Sequence, residues 1–207
     1  MTILDHIGRN KIIAVIRLDD LSNALDLSRA LVAGGVDILE FTLTNAEAPR
    51  AIAEVRDALG DTIAIGAGSV TTVAQVKEVA DSGGQFVISP ITKKSVIDAC
   101  HEYQLPAMPG AYTPSEIQFA WEQDVAAVKV FPARSLGAAY IKDVLAPLPH
   151  LRLIPTGGIG VKNIATFIDA GVFAVGIGGA LCDQAVIASK DWASISKSAE
   201  ELREAIS

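Results

Sequence analysis

Aromatic residues make up only 5% of this 207-residue chain, and cysteine occurs twice, at Cys100 and Cys182. The two cysteines show no metal-ligand spacing, and reduced thiols in a cytoplasmic protein are their simplest reading. Positive charge is also scarce: the formal net charge is −7. That balance argues against binding a nucleic-acid backbone, though it permits a local cationic pocket for a small anion. No apolar run is long enough to cross a bilayer, so no membrane role is expected. The first residues, Met1-Thr2-Ile3-Leu4-Asp5-His6, lack the basic and apolar regions of a signal peptide. Linkers and low-complexity stretches are missing, so one domain is expected over 1–207. No cluster of Asp, Glu and His suggests a metal. The lone histidines His6, His101 and His150 read as surface residues.

What the chain does have is apolar sequence: half of it is hydrophobic, and its mean hydropathy is +0.38. Strands buried on both faces would account for this, together with a buried subunit interface. Short apolar runs alternate with amphipathic stretches. The runs are Ile12–Ile16, Val36–Phe41, Thr62–Gly66, Phe86–Ser89, Pro106–Met108, Ala126–Phe131, Arg152–Pro155 and Phe173–Ile177. Helical patterns cover Leu21–Ala33, Ala46–Leu59, Thr72–Asp81, Thr92–Tyr103, Pro114–Trp121, Gly137–Leu145, Val161–Ala170 and Trp192–Ile206. Thr113 before Pro114 is a helix start, and Asn45 can cap the helix after it. Glycines at Gly34-Gly35, Gly60, Gly83-Gly84 and Gly171 supply helix stops. Eight such β-then-α units in 207 residues predict a (β/α)8 TIM barrel near its lower size limit. A doubly wound sheet is the alternative. Its first turn often carries GxGxxG, whereas Arg17-Leu18-Asp19-Asp20 holds no glycine.

In such a barrel the active site lies at the C-terminal strand ends. Lys129 interrupts the apolar run Ala126–Phe131. Lysine is rarely buried without a partner, and burial disfavours its charged form. A neutral amine in a dry pocket attacks carbonyl compounds. The competing reading is a strand-end lysine that snorkels to solvent. Glu40 is the second charge inside a strand. Ile38, Glu40 and Thr42 share one strand face, as do Ala127, Lys129 and Phe131. Barrel interiors are layered from alternate strands, so the second and sixth can place Glu40 and Lys129 in one layer. The pair is then either a catalytic constellation or an internal salt bridge without chemistry.

Two glycine pairs form another pattern. Gly157-Gly158 and Gly178-Gly179 fall after the seventh and eighth runs, where barrels commonly bind phosphate with help from a short extra helix. Glycine lets backbone N–H groups approach an anion closely. Two tight turns without a ligand would leave the same sequence. Arg17, ending the first run, is either a carboxylate fork or a rim arginine. Ser69 either donates to the same anion or caps the helix beginning near Thr71-Thr72.

Taken together, several motifs resemble the 2-keto-3-deoxy-6-phosphogluconate (KDPG) and 4-hydroxy-2-oxoglutarate (KHG) aldolases. They are Ile38–Leu43, Gly66–Val70, Phe86–Pro90, Met108–Gly110, Thr113–Glu116, Val128–Ala133 and Pro155–Ile159. The resemblance runs in order along nearly the whole chain. It implies a homotrimeric class I aldolase barrel that uses a covalent Schiff base, with no metal or other cofactor. By position, Lys129 resembles the Schiff-base lysine and Glu40 the general acid/base. Ser69 stands where the family has a threonine for the pyruvate carboxylate. Thr156, Gly157 and Gly158 match the substrate and phosphate loop, with Gly178 and Gly179, while Thr42, Phe131 and Pro90 would line the pocket. Two positions depart from the pattern. Thr44 stands where many members carry an arginine for the substrate carboxylate, which leaves Arg17 as the candidate cation. Ala180 stands where some members have a serine beside the phosphate. The expected reaction is cleavage of the six-carbon 2-keto-3-deoxy-6-phosphogluconate to pyruvate and glyceraldehyde 3-phosphate. The rivals are 4-hydroxy-2-oxoglutarate, the galactonate epimer, and a non-catalytic barrel that binds an anion or serves in an assembly.

Overall fold

A computed structural model describes residues 2–207. Among the described residues are nine short strands: β1 (Ile12–Ile16), β2 (Ile38–Thr42), β3 (Ala64–Gly68), β4 (Val87–Ile88), β5 (Ala107–Met108), β6 (Gly110–Ala111), β7 (Val128–Val130), β8 (Leu153–Pro155) and β9 (Val175–Ile177). Helices alternate with them: α1 (Ile3–Asn10), α2 (Ala24–Ala33), α3 (Ala48–Leu59), α4 (Val73–Asp81), α5 (Lys94–Glu102), α6 (Pro114–Trp121), α7 (Gly137–Leu145), α8 (Ile164–Asp169), α9 (Gln184–Ala188) and α10 (Trp192–Glu204). The fold is α/β, with a curled parallel sheet. Six strands pair in the order β5-β4-β3-β2-β1-β9 and three in the order β6-β7-β8. The fifth expected run, Pro106–Met108, is β5, and a further strand, β6, follows it beyond Pro109, which lacks an N–H for the ladder. A parallel bridge joins Thr156 to Gly176, beside the ends of β8 and β9.

The strands are buried on both faces, and this is why they read as unbroken apolar runs; all five residues of β1 are buried. Alternation divides their side chains between two cores. Ile12, Ala14, Ile16, Leu39 and Phe41 pack outward against helices. Ile13, Ile38, Ala127 and Ile154 pack inward, with Phe86 and Met108. Glu40 follows Ile38 on the inward face, and Lys129 follows Ala127, so both charges stand on top of an apolar floor.

Helix α1 closes that floor and was not expected from the sequence. A reciprocal capping box starts it, with Thr2 accepting from the Asp5 amide and Asp5 accepting from the Thr2 amide. Its Ile7 is fully buried in the inner core. His6 is consequently no surface residue: its side chain is 13% exposed and Nε2 lies 3.0 Å from Asp37 Oδ2. His101 and His150 are exposed as expected.

Most helix boundaries follow their stop and start signals. Thr113 caps α6, with Pro114 in the first turn and Glu116 completing a capping box. Two expected caps are corrected. Helix α4 is capped by Thr72 and Gln75, not by Ser69. Asn45 does not cap α3; it accepts from the Glu47 amide and ties its own Nδ2 to the carbonyls of Leu18 and Asp19. That clamp holds the loops after β1 and β2 together. Among the described residues, no helix is long and apolar enough to cross a membrane.

Candidate active site

Strand pairing brings the two inward charges together. β7 lies between β6 and β8, with Lys129 opposite Gly110 and Ile154. β2 lies between β1 and β3, with Glu40 opposite Val15 and Gly66. Across the interior, Lys129 Nζ stands 3.5 Å from Glu40 Oε1. The two side chains are 5% and 1% exposed, so solvent screens the pair very little. The Phe131 ring lies 5.4 Å from Nζ, on the open side of the pair. Its π face supports a cationic intermediate at that nitrogen.

Glycine makes room for this arrangement. A Cβ at Gly68 would strike the Glu40 carboxylate, and one at Gly176 would strike the Thr156 hydroxyl. Both glycines sit in or at the end of strands, where their usual conformational cost is offset by close approach of a functional side chain. Burial pushes the Glu40 carboxyl above the usual carboxylate range; the charges of Lys129 and Arg17 oppose that rise. The result is a carboxyl that takes up a proton more readily than an exposed glutamate, 3.5 Å from an amine.

At the C-terminal strand ends beside the pair opens a cavity of about 590 Å³, whose wall holds Phe131 but neither Lys129 nor Glu40. Its wall includes Arg17, Phe131, Thr156 and both glycine pairs, Gly157-Gly158 and Gly178-Gly179. Gly157 and Gly158 adopt φ of +102° and +75°, conformations that glycine reaches without strain. Asn163 pins their loop by accepting from the Gly160 amide and donating to the Gly158 carbonyl. Among the described residues, the amides of Gly158, Gly179 and Ala180 have no protein acceptor. Residues with free backbone N–H groups lining one cavity suit an anion. The short extra helix expected there is α9, but the Asp183 carboxylate already accepts from its Ala185 and Val186 amides. The anion site therefore rests on the loops and not on that helix end.

Other expected residues are placed less directly. Thr42 is buried, and its hydroxyl is 2.9 Å from that of Thr44. Pro90 and Ser69 lie beyond the cavity wall, on the β3–β4 side. Ser69 is half-buried, with φ of +60°, a costly conformation for a residue with a Cβ. Cys182 does line the cavity, but burial pushes its thiol up to about 12, which removes it as a nucleophile. Cys100 is likewise buried and unbonded. Sequence reasoning passed over Arg134, which also lines the cavity. Its signal was position: it follows Lys129 in the turn at the catalytic end.

Comparisons with known proteins agree with this geometry. The family model for KDPG and KHG aldolases matches residues 3–198. The 2-dehydro-3-deoxy-phosphogluconate aldolase of Treponema pallidum is 36% identical over 169 residues, 81% of this chain and 80% of that one. The enzyme of the same name from Haemophilus influenzae is 32% identical over 97% of this chain and 94% of its own. A crystal structure of KDPG aldolase from Legionella pneumophila holds pyruvate captured at low pH as a covalent carbinolamine. It is 30% identical and superposes with a TM-score of 0.87, covering 94% of this chain and 97% of that one. A match along nearly the whole sequence, with the same fold beneath it, means that this chain belongs to the KDPG and KHG aldolase family.

Proposed function

We propose that Lys129 and Glu40 carry out a class I aldol cleavage of 2-keto-3-deoxy-6-phosphogluconate, giving pyruvate and glyceraldehyde 3-phosphate. The observation that carries this reading is the buried pair, 3.5 Å apart, close to a cavity lined by Phe131, Arg17 and both glycine pairs. Proton transfer from Lys129 to Glu40 frees the amine and leaves an acid beside it. The amine adds to the C2 ketone, and Glu40 protonates the departing hydroxyl, which leaves as water. The resulting iminium is the electron sink. Glu40, now a carboxylate, takes the proton of the C4 hydroxyl through a bridging water. The C3–C4 bond breaks, its electrons form an enamine, and the aldehyde leaves. Glu40 then protonates C3, and water releases pyruvate from Lys129. Each step returns the proton that the previous one removed, so one carboxyl suffices. The iminium supplies the electron sink, so the reading calls for no metal and no organic cofactor.

The remaining residues take the roles that the sequence resemblance implies. Arg17, whose charge reaches Glu40, binds the substrate carboxylate with Ser69, in place of an arginine at Thr44. Thr42, Pro90, Phe131 and Thr156 shape the pocket. Gly157, Gly158, Gly178 and Gly179 present amides to the phosphate. Arg17→Ala is expected to weaken pyruvate binding about tenfold while leaving inorganic phosphate binding in place. Titration of the variant with each ligand checks this, and unchanged pyruvate affinity rejects the role.

The sheet is read as a closed eight-stranded TIM barrel forming one domain over 1–207. Support comes from the covalent continuity of β5 and β6 through Pro109 and from the Thr156–Gly176 bridge. A homotrimer is supported by Val73, Ile91, Tyr112 and Phe119, large exposed apolar residues on successive β-to-α segments. A cytoplasmic setting fits the two unbonded cysteines.

Pyruvate release from a panel of 2-oxo acids tests the substrate. Cleavage of the phosphorylated gluconate derivative with the highest kcat/KM is expected, because Thr156 precedes Gly157-Gly158 as in the gluconate enzymes that the sequence resembles. Preference for the galactonate epimer, or for 4-hydroxy-2-oxoglutarate, moves the assignment within the family. No release from any member supports the non-catalytic barrel.

A further inference from the structure

Two arginines line the cavity. Arg17 follows β1, and its charge reaches Glu40, whereas Arg134 stands in the turn after β7. Arg134 is seated directly on the phosphate loop. A Cβ at Gly158 would lie 2.9 Å from Arg134 Cβ and 3.2 Å from its Cα. The Ala133 amide donates to the Thr156 carbonyl at 2.9 Å, which fixes the turn against the same loop. Among the described residues, Arg134 makes no ion pair. The acidic residue in the cavity wall, Asp183, spends its Oδ1 on the amides of Ala185 and Val186. The same wall carries Ala180, which offers no hydroxyl.

We propose that Arg134 is the side chain that recognises the substrate's phosphate, joining the glycine amides and supplying the contact that Ala180 lacks. This inference rests on the aldolase reading above and extends it by a specificity residue. A guanidinium presents two parallel donors to a phosphate, whereas the loop amides alone carry no full charge. In a chain of net charge −7, an unpaired arginine in the pocket also raises the local concentration of anionic substrate. Arg17 and Arg134 then divide the two anionic groups of one substrate between them. Arg17 takes the carboxylate beside the reacting ketone, and Arg134 takes the phosphate at the far end.

The test compares unaltered protein with Arg134→Ala and Arg134→Lys on two substrates, 2-keto-3-deoxy-6-phosphogluconate and the same compound without phosphate. Removing the fork is expected to lower the ratio of kcat/KM for the phosphorylated over the unphosphorylated substrate about tenfold, through KM. Lysine, a point charge, restores part of that ratio. Binding of inorganic phosphate, followed by calorimetry, needs no turnover and is expected to weaken about tenfold in Arg134→Ala. Because Arg134 is exposed, its truncation leaves the core untouched. An unchanged ratio together with unchanged phosphate affinity overturns the proposal. Failure of the aldolase reading looks different: the unaltered protein then releases no pyruvate from either substrate, while phosphate binding still reports on Arg134.

Discussion

Replacing Lys129 with alanine or methionine is expected to abolish pyruvate release, lowering kcat by about 10⁵-fold or more, the scale of losing a covalent nucleophile. No other group can take over. The cysteine on the cavity wall, Cys182, has its thiol pushed up to about 12 and offers almost no thiolate at neutral pH. Glu40 cannot form the iminium that makes C3–C4 cleavage possible. The variants also remove one partner of a buried pair, a change that costs roughly 3–5 kcal/mol when the remaining charge stays ionised. Glu40 can avoid most of that cost by taking up a proton, because burial already favours its neutral form. Folded but inactive protein is therefore the expected outcome, with a moderate fall in Tm. Methionine keeps the apolar stem of the lysine and should unfold at a higher temperature than alanine. Circular dichroism melts beside the pyruvate assay separate a folding defect from a chemical one. Turnover by either variant within a few fold of the unaltered enzyme rules out Lys129 as the nucleophile.

Glu40→Gln should lower kcat about 10²- to 10⁴-fold, the usual contribution of a positioned acid or base. The amide occupies the same space, so the glycine at position 68 still accommodates it. It cannot accept the C4 hydroxyl proton, nor can it return a proton to C3. Two readouts follow. Exchange of pyruvate methyl protons with deuterium, which needs the C3 step but no aldehyde, should fall in parallel with cleavage. The pH profile should also change. In the unaltered enzyme, activity falls with decreasing pH as Glu40 becomes protonated. Burial raises its pKa, so the fall begins at higher pH than for an exposed glutamate. Glutamine abolishes that acid limb. Retained methyl exchange, or an acid limb that persists in the variant, assigns the acid/base role to another group.

The sequence disclosed those two residues because buried charge conflicts with its surroundings. Lys129 breaks an apolar run, and period-two alternation puts it and Glu40 on the inward face of their strands. Helices with strong punctuation were also legible: α6 behind Thr113-Pro114 and α7 from Gly137 have the bounds expected for them. Short elements were harder. Helix α1 escaped because eight residues hold barely two turns of periodicity, although the Thr2–Asp5 box marks its start. Helix α9 spans only Gln184–Ala188 and carries no clear apolar stripe. His6 was misjudged for the same reason, since its burial depends on α1 packing over Asp37. Ser69 shows a different limit. Its left-handed backbone is set by the turn that leaves β3, and no side-chain pattern reports that. Arg134 illustrates the last one. Its proximity to Gly158 depends on how two loops from neighbouring strands meet, which sequence spacing does not encode.

The division of the substrate between Arg17 and Arg134 depends throughout on covalent capture at the centre. Reduction with borohydride in the presence of pyruvate tests that capture most directly. Mass spectrometry of the digested protein should locate a stable pyruvyl adduct on the peptide that carries Lys129, with inactivation proportional to its yield. Protein treated with borohydride alone should stay active. An adduct on a different lysine, or none at all while the enzyme still cleaves its substrate, would contradict the Schiff-base account.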